Sequence, residues 1–212
     1  MKLPFDGQVA ERSLVHITQG DGGYSMGVRL GDFVATACHC LPRTDGRVVL
    51  PSPDLPGEDV VLVDIALPGG SKSARGIIVA ADPCGDLALV GGSTRYGTDL
   101  PPEAAKRFDE LVHGMPTARP NLAPSQHEEK PVFLFTHEGR WMSGRASFGL
   151  VRLEQPDARV RPGTSGAPVF DENGLVLGVM SQGYVDRPDG RMAILGDSLP
   201  GWALQELAAD GE

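Results

Sequence analysis

Apolar residues recur along this chain in short runs, each closed by Gly, Pro or Asp. The runs are SLVHIT (13–18), SMGVRL (25–30), DFVATA (32–37), RVVL (47–50), DVVLVDIAL (59–67), RGIIVAAD (75–82), DLALVGG (86–92), PVFLFTH (131–137), RASFGLV (145–151), APVFD (167–171) and LVLGVMSQ (175–182). Several alternate apolar with polar or small residues, and β-branched residues are frequent, so the runs predict strands. GDGG (20–23), DENG (171–174) and RPDG (187–190) predict turns.

Two stretches break the pattern. PPEAAKRFDELVHG (101–114) opens on proline and spaces Ala, Phe, Leu and Val as a helix does. It predicts one short helix, followed by a Pro-rich connection over 116–131. The C-terminal DSLPGWALQELAADGE offers Ser198 as an N-cap with Pro200 just inside, which predicts a closing helix. Strands therefore cluster in two halves, 13–92 and 131–195, which fits two β-barrels or a sandwich.

Composition agrees. The 28 Gly and 18 Pro suit short strands and turns better than long helices. A hydrophobic share of 41% over 212 residues allows one domain, or two lobes sharing a core. The net charge of −9 is spread along the chain and argues against nucleic acid as a partner. No segment approaches the ~18–20 apolar residues of a membrane span, and MKLPFDGQVAERSLV lacks the apolar run of a signal peptide. Cys38, Cys40 and Cys84 are too few and too odd in number for a disulfide framework. The expectation is a cytoplasmic protein with reduced thiols, with a bridge from Cys84 to Cys38 or Cys40 left open.

The chemistry concentrates in DARVRPGTSGAPVFDENGLVLGVMSQ (157–182). A nucleophilic serine needs a tight turn that presents its hydroxyl, and backbone N–H groups aimed at the oxygen that gains charge in acyl transfer. Gly163, two before Ser165, permits such dihedrals, and Gly166 lets substrate approach. On its own this turn reads equally as a hairpin connection. A serine nucleophile also needs a base, and the base an orienting carboxylate. His39 follows a strand in TACHCLP and Asp86 opens one in GDLALV, in the order His, Asp, Ser.

At these residues the chain resembles the chymotrypsin/trypsin superfamily. TACHCL is similar to its TAAHC segment, GDLALV to its Asp-Leu-Ala-Leu segment, and GTSGAPV to its Gly-x-Ser-Gly-Gly-Pro segment. DARVRPGTSGAPVF most resembles the bacterial HtrA-type members. The resemblance spans nearly the whole chain. It implies an all-β fold of two six-stranded barrels with a short linker helix and a C-terminal helix. The whole of 1–212 would be one peptidase domain, with barrels over about 10–98 and 131–212 and a connector over about 99–130. It implies Ser165 as nucleophile, His39 as general base and then acid, and Asp86 as the partner that fixes the tautomer of His39. The N–H groups of Gly163 and Ser165 would form the oxyanion hole. Ser181, Gln182 and Gly183 match the segment that pairs with an extended peptide, and Ser181 is also placed to bond Asp86.

The Cys38-His39-Cys40 triplet then resolves toward a base flanked by bystanders. Neighbours in an extended segment point to opposite faces, so His39 and its flanking cysteines should diverge. A zinc site would want convergent ligands from spaced motifs such as C-x-x-C, and none exists here. No metal and no cofactor are expected.

Four departures from the family pattern matter. Cys40 has no upstream cysteine to bridge except Cys38. Thr164 stands where zymogen-activated members carry an Asp that pairs with a new N-terminus. Ala167 replaces a glycine. Arg159 stands where a trypsin-type enzyme would hold an acid, so cleavage after Lys or Arg is disfavoured. His16, His113, His127 and His137 read as surface or core residues, Asp82 as a turn residue rather than the triad acid, Cys84 as a buried inert thiol, and Trp141 and Trp202 as packing residues.

The reading is a serine endopeptidase acting on protein or peptide substrates. A peptide-binding module on the same fold, without catalysis, is the alternative. An esterase elbow would need Gly at 167 and the order Ser, Asp, His, so it is disfavoured. HtrA-type proteins usually carry a peptide-binding domain after the protease, and none fits after residue 212. Regulation by a protein partner is therefore expected.

Overall fold

The computed structural model describes residues 1–18, 23–41, 62–70, 72–93, 100–122, 128–147, 150–154, 160–185, 192–195, 199 and 201–209. The run RVVL, the turn RPDG, most of GDGG, and Ser198, Pro200, Arg159 and His127 lie outside them.

The first half is a closed barrel of β1 (Leu14–Thr18), β2 (Tyr24–Leu30), β3 (Phe33–Thr36), β4 (Leu62–Ala66), β5 (Ser73–Asp82) and β6 (Leu87–Gly91), in the order β1-β2-β3-β6-β5-β4. Val15, Ile17, Val63, Ile65, Ile77 and Val90 fill it, all fully buried. The register of β5 on β6 shifts between Ile78 and Ala80, the kind of irregularity that bends a strand round a barrel. Helix α2 (Pro102–His113) packs Phe108, Leu111 and Val112 into the same cluster. Those three recur at i, i+3 and i+4, so one face of the helix is apolar.

The second half is a sheet of eight strands in the order β13-β14-β10-β9-β8-β11-β12-β7. Six of them run four residues or more: β8 (Lys130–Phe135), β9 (Trp141–Ser147), β10 (Leu150–Leu153), β11 (Pro168–Asp171), β12 (Leu175–Val179) and β14 (Met192–Leu195). The short β7 (Arg119–Pro120) and β13 (Gly183–Val185) add to its ends. The two-barrel expectation holds, with a closed first barrel and this larger second sheet. RASFGLV, expected as one strand, is divided between β9 and β10, which pair antiparallel with Leu150 opposite Ser147.

The two halves share a core, and period-two alternation shows how. Met26, Val28 and Leu30 on β2, Ala35 on β3, and Leu87 and Leu89 on β6 join the cluster of the second sheet. Their neighbours Val34, Ala88 and Val90 point into the first barrel. Strands β3 and β6 are thus apolar on both faces because both faces are covered, while β2 alternates, with Ser25, Gly27 and Arg29 between its apolar residues. The three strands form the wall between the lobes, and the candidate residues sit at its ends.

A helix the sequence pattern did not reveal, α1 (Gly7–Arg12), starts at Asp6, whose carboxylate accepts from the N–H groups of Gln8 and Val9. Before it, Phe5 packs edge-on against Phe133 and Trp141. The closing helix α3 (Gly201–Ala209) buries Ala203. Among the described residues no helix is long and apolar enough to cross a membrane.

Candidate active site

The wall strands bring His39 and Asp86 together. β3 ends at Thr36, and a single 3-10 turn, Cys38–Cys40, follows it. Asp86 precedes β6, which pairs with β3. Asp82 accepts from the N–H groups of Cys84 and Gly85 at 2.9 Å each, so the turn leading to Asp86 is fixed by the expected side-chain contact. Asp86 itself has φ +51°, and it alone among the described non-glycine residues lies in that region. Asp tolerates this better than most residues, at a cost of about 1–2 kcal/mol.

That conformation is held by the 3-10 turn. The N–H of Cys38 donates to the Asp86 carbonyl at 3.1 Å and that of His39 to Asp86 Oδ1 at 2.8 Å. His39 Nδ1 lies 2.7 Å from Asp86 Oδ2. Ser181 Oγ donates to the same Oδ2. Burial works to raise the pKa of Asp86, but the hydrogen bonds from the His39 ring, Ser181 and the His39 N–H outweigh it, and the carboxyl stays below its ordinary value. The Asp86 hydrogen bond, helped by Cys40, pushes the pKa of His39 up to about 10. The ring is about one-third exposed, so Nε2 remains open to an approaching group.

The triplet around His39 differs from expectation in one respect. It is a 3-10 turn and not extended chain, so successive side chains do not diverge. Cys40 Sγ lies 3.6 Å from His39 Nε2, so Cys40 is a neighbour of the His39 ring rather than a bystander. Cys38, Cys40 and Cys84 form no disulfide; the first two are buried, and Cys84, expected to be buried, is exposed on the turn that Asp82 closes.

Ser165 sits on two consecutive turns. The N–H of Thr164 donates to the Arg161 carbonyl at 3.2 Å, and that of Ala167 to the Thr164 carbonyl at 3.0 Å. Gly163 and Gly166 occupy the third positions with φ +97° and +81°, while Ser165 has no positive φ. Both are type II turns, which demand glycine there, and proline suits the second position that Pro162 fills. Among the described residues the N–H groups of Gly163 and Ser165 donate to no protein acceptor. Gly166 has no space for a side chain, since a Cβ would meet the Met26 carbonyl and Thr36 Oγ1. Met26 N–H to Ser165 O (2.8 Å) and Gly166 N–H to Met180 O (2.7 Å) tie the turns to both lobes.

The hydroxyl of Ser165 donates to the Ser181 carbonyl at 3.4 Å. Among the described residues no hydrogen bond joins it to His39. Ser181 therefore touches both Asp86 and Ser165. Gln182 is exposed and Gly183 begins β13. His137, expected as a plain surface or core residue, has its Nδ1 2.9 Å from Thr164 Oγ1, beside the Ser165 turn. Its partner is distant in sequence, so no local motif marks it. Asp82 serves its turn, and Trp141 packs, with Nε1 donating to Glu11 at 2.7 Å. Among the described residues no cluster of three His, Cys, Asp or Glu side chains could hold a metal.

A family model described as a trypsin-like peptidase domain matches residues 22–179. The crystal structure of the serine endoprotease from Yersinia pestis matches with a TM-score of 0.58 at 15% identity, covering 100% of this chain and 70% of that one. At that identity the likeness is one of fold. No curated protein matches.

Proposed function

The chain belongs to the trypsin-like peptidase domain family and is a serine protease, and on that premise we propose that Ser165, His39 and Asp86 carry out peptide-bond hydrolysis. The observation that carries the assignment is the triple hold on Asp86 by the His39 ring, the His39 N–H and Ser181. In its base form His39 donates Nδ1–H to Asp86 and keeps a lone pair on Nε2, and that nitrogen takes the proton when Ser165 Oγ attacks the carbonyl carbon. The carbonyl electrons move to oxygen, and the N–H groups of Gly163 and Ser165 accept that charge. Collapse expels the amine, which takes its proton from His39, and leaves an acyl ester on Ser165. Water, deprotonated by His39, then releases the acid.

In the resting arrangement Ser165 must turn from the Ser181 carbonyl toward Nε2, a side-chain rotation of the sort that substrate binding completes. Ser181, Gln182 and Gly183 pair with extended peptide backbone, and Arg159 turns specificity away from Lys and Arg. Three thiols without a disulfide suit a reducing compartment, and Thr164 in place of an activating Asp suits control by a protein partner. A second reading has one observation in its favour: with Ser165 unbonded to His39, the chain would be a peptide-binding module without turnover. Digestion of fluorescently labelled casein by wild type and by Ser165→Ala decides between them. The peptidase reading requires fragments from wild type alone. Equal, negligible digestion by both would support the module.

A further inference from the structure

We propose that His137, at the tip of the hairpin joining β8 to β9, positions the oxyanion turn through Thr164; the inference rests on the peptidase reading above. The hairpin is closed by two backbone bonds, Thr136 N–H to Arg140 O and Gly139 N–H to Thr136 O, both 2.9 Å, with Gly139 at φ +75°. It is a rigid platform. From it, His137 Nδ1 reaches Thr164 Oγ1 at 2.9 Å, and Thr164 is fully buried. The His137 ring also lies against Gly163, where an added Cβ would stand 3.4 Å from two ring carbons. The next residue, Glu138, pairs with Arg161 at 3.1 Å and with Arg140 at 3.3 Å. The hairpin thus holds the Arg161–Thr164 turn at both ends. Arg161 is 69% exposed, so its ion pair is the weaker hold and the part-buried His–Thr bond the stronger.

Thr164 is a hinge of consequence. It closes one type II turn through its N–H and opens the next through its carbonyl. The two donors assigned to the oxyanion, Gly163 N–H and Ser165 N–H, lie on either side of it. Rotation of Thr164 would turn both out of line. Where zymogen-activated relatives use an acid and a new chain terminus for this purpose, this chain uses a hydroxyl and a neighbouring imidazole. His137 is a positioning residue, since it acts on the reacting atoms only through Thr164.

The test measures inactivation by a fluorophosphonate, whose phosphoryl oxygen takes the oxyanion position, and separates its binding constant from its maximal rate. His137→Ala and Thr164→Val should each lower the maximal rate by about 10- to 100-fold, because a small misplacement of donors has that effect. Binding should be unchanged. The double variant should be no slower than the worse single one by more than about threefold, since both remove one bond. His137→Asn, whose amide places a polar atom where Nδ1 stands, should recover most of the rate. Should His137→Ala fail to fold, Thr164→Val against His137→Asn gives the same comparison. A His137→Ala enzyme that reacts at the wild-type rate overturns the proposal, as does a loss confined to binding or additive losses. Wild type that never reacts at Ser165 would instead defeat the peptidase reading beneath it.

Discussion

Gly166→Ala should be among the most damaging single-methyl changes the chain can suffer. Two effects add. At φ +81° an L-residue carries a conformational cost of about 1–2 kcal/mol. The new methyl would also stand against the Met26 carbonyl and Thr36 Oγ1. The first is backbone in the middle of the barrel wall, and the second already donates to that same carbonyl at 2.7 Å, so neither can yield. Overpacking of this kind costs about 1–3 kcal/mol. Relief means displacing the turn and weakening the bonds from Met26 N–H to Ser165 O and from Gly166 N–H to Met180 O, at about 1 kcal/mol each. The sum is about 4–7 kcal/mol, a large share of the 5–15 typical of a whole domain. Gly69→Ala isolates the first effect, because Gly69 has φ +89° and nothing within 4 Å of its Cβ position. Urea unfolding followed by tryptophan fluorescence should show a loss of about 1–2 kcal/mol for Gly69→Ala and at least 2 more for Gly166→Ala. Equal losses would refute the steric argument and the close approach of the lobes on which it rests.

Other expectations follow from the same geometry. With the pKa of His39 pushed up to about 10, the base form grows as pH rises, so kcat/KM should climb through neutrality; a plateau already reached at pH 6.5 would contradict this. Cys40→Ala should shift the climb to lower pH. The same raised pKa means that His39 contributes stability in full below 6.5 and loses it as pH rises toward 10, so the deficit of His39→Ala should shrink in alkaline urea titrations. Ser181→Ala removes a donor from Asp86 and should slow turnover about tenfold, equal to about 1.4 kcal/mol; an unchanged rate would remove Ser181 from the network. In a peptide library, Arg and Lys before the cut should be disfavoured, and their enrichment would falsify the role given to Arg159.

What was legible in the sequence was what repeats locally. Most strands of both halves, the helix over 102–113 and the closing helix follow from spacing and from Gly and Pro punctuation, but β7, β13 and β14 matched no apolar run. The strands β3 and β6 read as near-continuous apolar runs because they are covered on both faces, whereas β2 alternates. Less legible were features made by contact at a distance. Cys40 was expected to point away from His39 because three residues do not announce a 3-10 turn. His137 meets Thr164 across 27 positions, so nothing near either residue marks the pair. The unusual φ of Asp86 depends on the bonds it makes to the turn after β3. Helix α1 had a readable signal in Asp6, but six residues are too short for apolar periodicity to show.

The most direct test of the account is labelling with a fluorophosphonate and mapping of the adduct by mass spectrometry, in wild type, Ser165→Ala and His39→Ala. The account predicts one adduct, on Ser165, in wild type and none in either variant. Folded wild type without an adduct, or labelling that persists in Ser165→Ala, would contradict it.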